Sequence, residues 1–179
     1  MVFSDKWIKR NAKKGMIEPF FISSVKNSVM SYGVSSYGYD FKLADEFKIF
    51  IGKNPIDPKN PDSGSFIDFT GKVCEIPPHS FALGRSVEYF RIPRNCLGIC
   101  FGKSSYARSG IVVYVTPLEP EWEGNITVMI ANLAPVPNRV YADEGICQVV
   151  FLKASSVCEK SYADKKGKYQ KSCGIILGR

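Results

Sequence analysis

The segment Glu121–Pro135, EWEGNITVMIANLAP, alternates strictly over its second half. Ile126, Val128 and Ile130 fall on one side of an extended chain, and Thr127, Met129 and Ala131 on the other. Successive side chains of a strand point to opposite faces, so this pattern predicts a half-buried β-strand. Met129 is the misfit: a long apolar side chain on the face with the smaller, more polar neighbours.

Outward from this segment the chain repeats the same kind of short run. Phe47–Ile51, Phe66–Phe69, Ser80–Leu83, Cys96–Phe101, Ile111–Val115 and Gly145–Leu152 are further predicted strands. Turn formers separate them: Asn54-Pro55, Asp57-Pro58, Pro77-Pro78, Pro117, Pro135 and Pro137. One helix is predicted, opening at Ser4-Asp5, running to about Lys14 and stopping at Gly15. Many short strands with Pro and Gly turns give a mainly β chain, a barrel or sandwich. The 179 residues suit one domain, 1–179, with a sizeable core.

Hydrophobic residues make up 45% and charged residues 23%, an ordinary globular balance. No apolar run approaches the roughly 20 residues that span a bilayer, and the N-terminus carries no secretory signal. A cytoplasmic protein with no membrane partner is expected, or one in the host cytoplasm for a viral source. The six cysteines (Cys74, Cys96, Cys100, Cys147, Cys158, Cys173) are irregularly spaced and read as buried free thiols. With one histidine, His79, and no P-C-x-x-C, zinc chemistry on a nucleobase is not expected.

The net charge is +7, and six basic residues against one acid lie between Lys160 and Arg179. Such a tail is either solvated or attracts an anion. Tyr162, Gly167, Tyr169 and Gly174 interrupt it, which suits an ordered flap over 160–179 better than a nucleic-acid arm. In Gly102–Gly110, GKSSYARSG, Lys103 and Arg108 are cations, Ser104 and Ser105 are hydroxyl donors, and glycines flank them. These are parts of a phosphate cradle; a polar turn before a strand is the plainer reading, and no Walker loop is present.

Several motifs then occur in order: SSYGYD at 35–40, DEFKIF at 45–50, IPPHSFAL at 76–83, VEYFRIP at 87–93, GKSSYAR at 102–108, VTPLEPEWEG at 115–124, VYADEG at 140–145 and SYADKKGKYQ at 161–170. Together they closely resemble bacterial dCTP deaminase of the dUTPase-like superfamily, over essentially the whole chain. The resemblance implies a distorted β-barrel and a homotrimer. It also implies nucleotide sites between subunits, closed by the C-terminal segment. It implies hydrolysis of dCTP to dUTP and ammonia without zinc, with Mg²⁺ accompanying the triphosphate. Carried over residue by residue, it implies ligand contacts by Lys103, Ser104, Ser105, Arg108, Thr116, Glu119, Trp122, Gln148, Tyr162 and Lys168.

The same resemblance marks a departure. The family's general-base glutamate lies seven residues after the tryptophan, and that position is Met129. A thioether takes no proton from water, and general-base catalysis contributes about 10²- to 10⁴-fold. Glu119, Glu121 and Glu123 precede the strand and are not expected to replace it. Tyr114 and Met129 are expected to line the base pocket, and Ser172 stands where the tail usually has glutamine. The expected function is therefore a nucleotide or phosphorylated nucleoside binder that does not deaminate. It would sequester a ligand, such as a nucleotide immune signal, or regulate nucleotide pools. The alternatives are an active dCTP deaminase and a purely structural trimer whose pocket Met129 and Tyr114 fill.

Overall fold

The computed structural model describes residues 1–26, 28–52 and 54–178; Arg179, counted above in the basic tail, lies outside them. The elements in chain order are α1 (Asp5–Ala12), β1 (Ile17–Glu18), β2 (Gly33–Val34), β3 (Tyr39–Lys42), β4 (Glu46–Phe50), β5 (Phe66–Thr70), β6 (Val73–Ile76), β7 (Phe81–Arg91), β8 (Cys96–Gly102), α2 (Ser104–Arg108), β9 (Ile111–Tyr114), β10 (Glu123–Asn132), β11 (Asn138–Tyr141) and β12 (Gly145–Lys153). The chain is mainly β with a short N-terminal helix, as its sequence predicts.

One sheet runs β5-β4-β7-β10-β9, with β1 added to β7; a second runs β2-β3-β12-β8; β11 and β6 form a third pair. The three wrap a common core that includes Phe41, Phe47, Phe90, Ile126 and Phe151, giving a distorted barrel. β7 and β10 form its spine. Ala82, Gly84, Ser86, Glu88 and Phe90 of β7 face inward, as do Ile126, Val128 and Ile130 of β10.

The strand pattern of Glu121–Pro135 is realised with Ile126, Val128 and Ile130 at most 1% exposed and Met129 half-buried on the other face. Short strands β1, β2, β3, β6 and β11 have no counterpart in the sequence reading, nor does helix α2. Each is two to five residues long, too short for a period to register. β7 is also longer than its predicted fragment Ser80–Leu83, because it continues through the polar stretch Arg85-Ser86-Val87-Glu88. α1 begins after Ser4 as predicted, but Ser4 makes no side-chain cap. The helix stops short of Gly15, which has φ +86°. All six cysteines are free thiols; Cys74, Cys96 and Cys147 are buried and Cys173 is exposed. No described helix is long and apolar enough to cross a membrane.

The β7–β10 ladder shifts register between Asn125 and Thr127. Asn125 pairs with Tyr89 but Thr127 with Arg85, so β7 uses two more residues than β10 at this point. Side chains take over the missing ladder bonds. The Ser86 hydroxyl donates to the Glu88 carbonyl at 2.6 Å and accepts the Ile126 amide at 2.8 Å. The Asn125 amide donates to the carbonyls of Ser86 and Glu88. A bulge of this kind bends a strand and re-aims its side chains.

Glu88 keeps the inward place that the alternation of β7 gives it, and its carboxyl is fully buried. The Tyr39 hydroxyl donates to it at 3.0 Å and the Lys42 amide at 3.0 Å. Burial pushes its pKa up to about 7 from an ordinary 4.5, and burial likewise raises the Tyr39 phenol. The folded chain therefore holds a proton on Glu88 that the unfolded chain releases near pH 4.5. Stability from this group is complete below the unfolded value, falls as pH rises toward the folded value, and is flat above it. The full decline amounts to about 3 kcal/mol. Glu88→Gln keeps the shape without the titration. Urea unfolding at pH 5 and pH 8 is expected to show the variant gaining on the wild type at the higher pH; parallel changes in both chains would contradict this account.

Candidate functional site

Two cavities hold most of the residues singled out in the sequence. The first, of about 570 Å³, opens between the β9–β10 connection, the start of β10 and the C-terminal segment. Thr116, Glu119, Trp122, Tyr162, Lys168 and Ser172 line it. Asn125 and Thr127 join them from the half-buried face of β10, with Ile176 from the tail. None of these three was singled out in the sequence. For Asn125 and Thr127 the signal was present, because they share the face of Met129.

The wall before β10 is a tight loop. Glu121 adopts φ +60°, its amide donates to the Ile92 carbonyl, and the Trp122 carbonyl accepts the Ile92 amide. This fixes Trp122 across the mouth of β10, 8% exposed. Its indole N–H donates to the Tyr169 carbonyl at 2.9 Å. Ring and tail are thus held as one wall of the cavity.

Tail residues 161–172 lie against the start of β10 through a run of bonds. The Lys171 amide donates to the Glu123 carbonyl and the Asn125 amide to the Ser172 carbonyl. The Gln170 side chain donates to the Glu121 carbonyl at 2.8 Å. The Tyr162 amide donates to the Pro120 carbonyl, while the Tyr162 hydroxyl accepts the Tyr169 amide at 3.0 Å. Farther on, the Ile176 amide reaches the Thr127 hydroxyl at 3.2 Å. The Lys168 ammonium lies 5.0 Å from the centre of the Tyr169 ring. Lys165 pairs with Glu119 at 3.1 Å, and Glu119 is the one carboxylate among the described residues lining this cavity. The Ser172 hydroxyl donates back to the Tyr169 carbonyl at 2.6 Å, so it ties the tail to itself.

The second cavity, of about 460 Å³, is lined by Lys103, Ser104, Ser105 and Gln148, with Lys26, Ser31 and Asp40. Lys103, Asp40, Ser31 and Gln148 form a paired network in it. The Lys103 ammonium donates to Asp40 at 2.7 Å and to the Ser31 hydroxyl at 2.9 Å. The other Asp40 oxygen accepts the Gln148 amide at 2.8 Å, and Gln148 also donates to Ser35. Lys103 and Asp40 side chains are only 14% and 8% exposed. Lys103 is therefore committed to Asp40 and fixes the base of the Ser104–Arg108 turn, where the sequence suggested a cation open to phosphate. Gln148, on β12, stitches that pair to the second sheet.

The two cavities share no lining residue. Arg108, Tyr114 and Met129 line neither. Arg108 is exposed at the end of α2, and Tyr114 is 59% exposed. Met129 pairs across the sheet with Leu83 on one side and Tyr114 on the other. Met129 and Tyr114 thus form an apolar pair on the outer face of the sheet, two residues along from Thr127. No group of three or more His, Cys, Asp or Glu residues among the described residues comes together as a metal site.

Comparison with known proteins gives a consistent result. A family model described as dCTP deaminase-like matches residues 2–154. The dCTP deaminase of Bordetella pertussis is 58% identical, covering 98% of this chain and 97% of its own. That of Acidobacterium capsulatum is 57% identical, covering 97% and 96%. Among solved structures, the 2'-deoxycytidine 5'-triphosphate deaminase of Agrobacterium tumefaciens superposes with a TM-score of 0.63 at 13% identity. That match covers 84% of this chain and 47% of the other, a likeness of fold.

The docking of the tail leads to a test at Gly124. This glycine has φ +151°, and a Cβ there would lie 2.9 Å from both the Ser172 amide nitrogen and its carbonyl oxygen. Gly124→Ala is expected to undock residues 170–176 while leaving the barrel intact. Limited proteolysis would report cleavage after Lys168 or Lys171 at a rate roughly tenfold above wild type, since exposed and unpaired segments are the ones proteases nick. Equal cleavage rates would show that the tail is not held by this contact.

Proposed function

The chain belongs to the dCTP deaminase-like family, and on that premise we propose that it hydrolyses dCTP to dUTP and ammonia at sites completed between copies of itself. The observation that carries this reading is 58% identity over 98% of the chain to a protein named for the reaction.

Deamination adds water at C4 of the cytosine and expels the amino group as ammonia. One proton must leave the water and one must reach the departing nitrogen. In this reading the first cavity takes the nucleoside, walled by Trp122, Thr127 and the tail, with Tyr162 and Lys168 toward the phosphates. Ser104 lines the other cavity and Arg108 is exposed at the end of the same short helix; in this reading a second copy brings both to the same nucleotide. Exposed Phe101, Val112, Tyr114, Leu133 and Val136 are apolar surface of the kind that packs against a partner; the family resemblance makes that partner assembly a homotrimer. Mg²⁺ arrives on the triphosphate, whose oxygens suit a hard cation that needs few protein ligands. The reaction draws on the soluble nucleotide pool, and the cytoplasm is the compartment it implies.

The proton acceptor is the unusual point. Met129 offers none. The carboxylate that lines the cavity is Glu119, and in this reading it takes that part once Lys165 turns to the phosphates. Glu119 precedes β10 in sequence, yet folding brings it to the wall that Thr127 also forms.

Met129 itself favours a second reading, in which the site binds the nucleotide without turning it over and acts by sequestration or pool regulation. One set of measurements separates the two. The purified chain is incubated with dCTP and Mg²⁺, and ammonia and dUTP are followed. Turnover is expected, reduced by roughly 10²-fold or more in Glu119→Gln. Binding by calorimetry without turnover, together with activity gained in Met129→Glu, would establish the second reading. Absence of both binding and turnover would overturn both.

A further inference from the structure

Arg94 lies in the connection between β7 and β8, outside both cavities. Its guanidinium nevertheless reaches three acceptors on two separate segments. One nitrogen donates to Glu121 at 2.7 Å. The other pairs with Asp164 at 2.8 Å and donates to the Glu159 carbonyl at 3.1 Å. Glu121 belongs to the loop that carries Trp122, while Glu159 and Asp164 belong to the start of the tail.

Asp164 does more than pair. Its carboxylate accepts the Ser161 amide at 3.0 Å, and the Ser161 hydroxyl accepts the Asp164 amide at 3.2 Å. This reciprocal pair closes the turn that aims Tyr162 into the first cavity, with Ser161 1% exposed. The backbone amide of Ser161 and the Arg94 cation both hold the Asp164 carboxyl below its ordinary range. From Tyr162 the chain continues through its bond to Tyr169 and so sets Lys168. Arg94 therefore fixes both sides of the cavity mouth from behind. Isolated exposed ion pairs contribute little, but a guanidinium fork that bridges several acceptors orients them as well.

We propose that Arg94 is a positioning residue: it docks the turn 161–164 against the loop 119–122 and so presents Tyr162 and Lys168 to the nucleotide. On this view the tail has two parts, an anchor at 161–172 and a tip at 173–178. The anchor is in place before any ligand arrives. The nucleotide part of the proposal rests on the function proposed above; the docking part does not.

The test uses the full chain with Arg94→Ala, Arg94→Lys and, as control, Arg139→Ala, which removes an exposed pair with Glu75 remote from the tail. Amide hydrogen exchange is measured on the free protein. Arg94→Ala is expected to speed exchange at Tyr162, Tyr169 and Lys171 by roughly tenfold, with β7, β10 and β12 unchanged; Arg139→Ala changes none of them. Arg94→Lys recovers part of the protection, since one ammonium replaces a fork. Calorimetry with dCTP and Mg²⁺ is expected to show roughly tenfold weaker binding in Arg94→Ala, recovered in part by Arg94→Lys, while the rate at saturating dCTP changes little. Unchanged exchange over 161–172 would overturn the docking role. Loosened exchange with unchanged dCTP affinity would overturn the positioning role. A wild type that binds no dCTP would overturn the nucleotide reading and the positioning role with it, while exchange still decides the docking.

Discussion

The bulge where β7 overruns β10 is the constraint on which the rest of the structure depends. Ser86 and Asn125 repair the broken ladder with their own side chains. That repair bends the spine of the barrel and has two sides. Inside, it lies beside the Glu88 carboxyl in the core, which the Tyr39 hydroxyl and the Lys42 amide satisfy. Outside, it sets Asn125 and Thr127 on the wall of the first cavity. A buried carboxyl of this kind is costly unless every polar atom is satisfied. Among the described residues no buried side-chain polar atom lacks a partner.

The outer side of the same bulge receives the tail. The Asn125 backbone amide donates to the Ser172 carbonyl, and Gly124 lies in parallel register with Ser172. Core, cavity wall and tail thus meet over three consecutive residues, Gly124 to Ile126. The tail is an irregular segment made orderly by borrowed partners: Trp122, Glu121, Glu123 and Thr127. Its cations are drawn into the same economy, with Lys165 on Glu119 and Lys168 over Tyr169.

The second cavity is organised differently. Asp40 accepts from Lys103 and Gln148 together, joining β3, β12 and the end of β8 beneath the Ser104–Arg108 turn. A lysine that reads as a free cation in sequence becomes a largely buried half of an ion pair, because an aspartate 63 positions earlier is brought to 2.7 Å. The two cavities remain separate within one chain, and that separation is the structural reason for proposing that a second copy completes the site.

Much of the fold was legible in the sequence because burial imposes a period. Ile126, Val128 and Ile130 declared a strand, the runs at Phe66–Phe69, Cys96–Phe101 and Gly145–Leu152 declared others, and the shared motifs declared the family. Met129 was legible too, as an apolar side chain on the wrong face. What a one-dimensional pattern cannot carry is which distant groups meet. Strands of two to four residues have no period to read, and a bulge with two extra residues leaves the alternation of β7 unbroken. The pairing of Lys103 with Asp40, the reach of Arg94 to Asp164 and the gathering of Glu119 and Thr127 around one cavity are decided by tertiary packing alone. Each joins side chains whose partners are chosen by where the barrel bends, and only the folded chain specifies that.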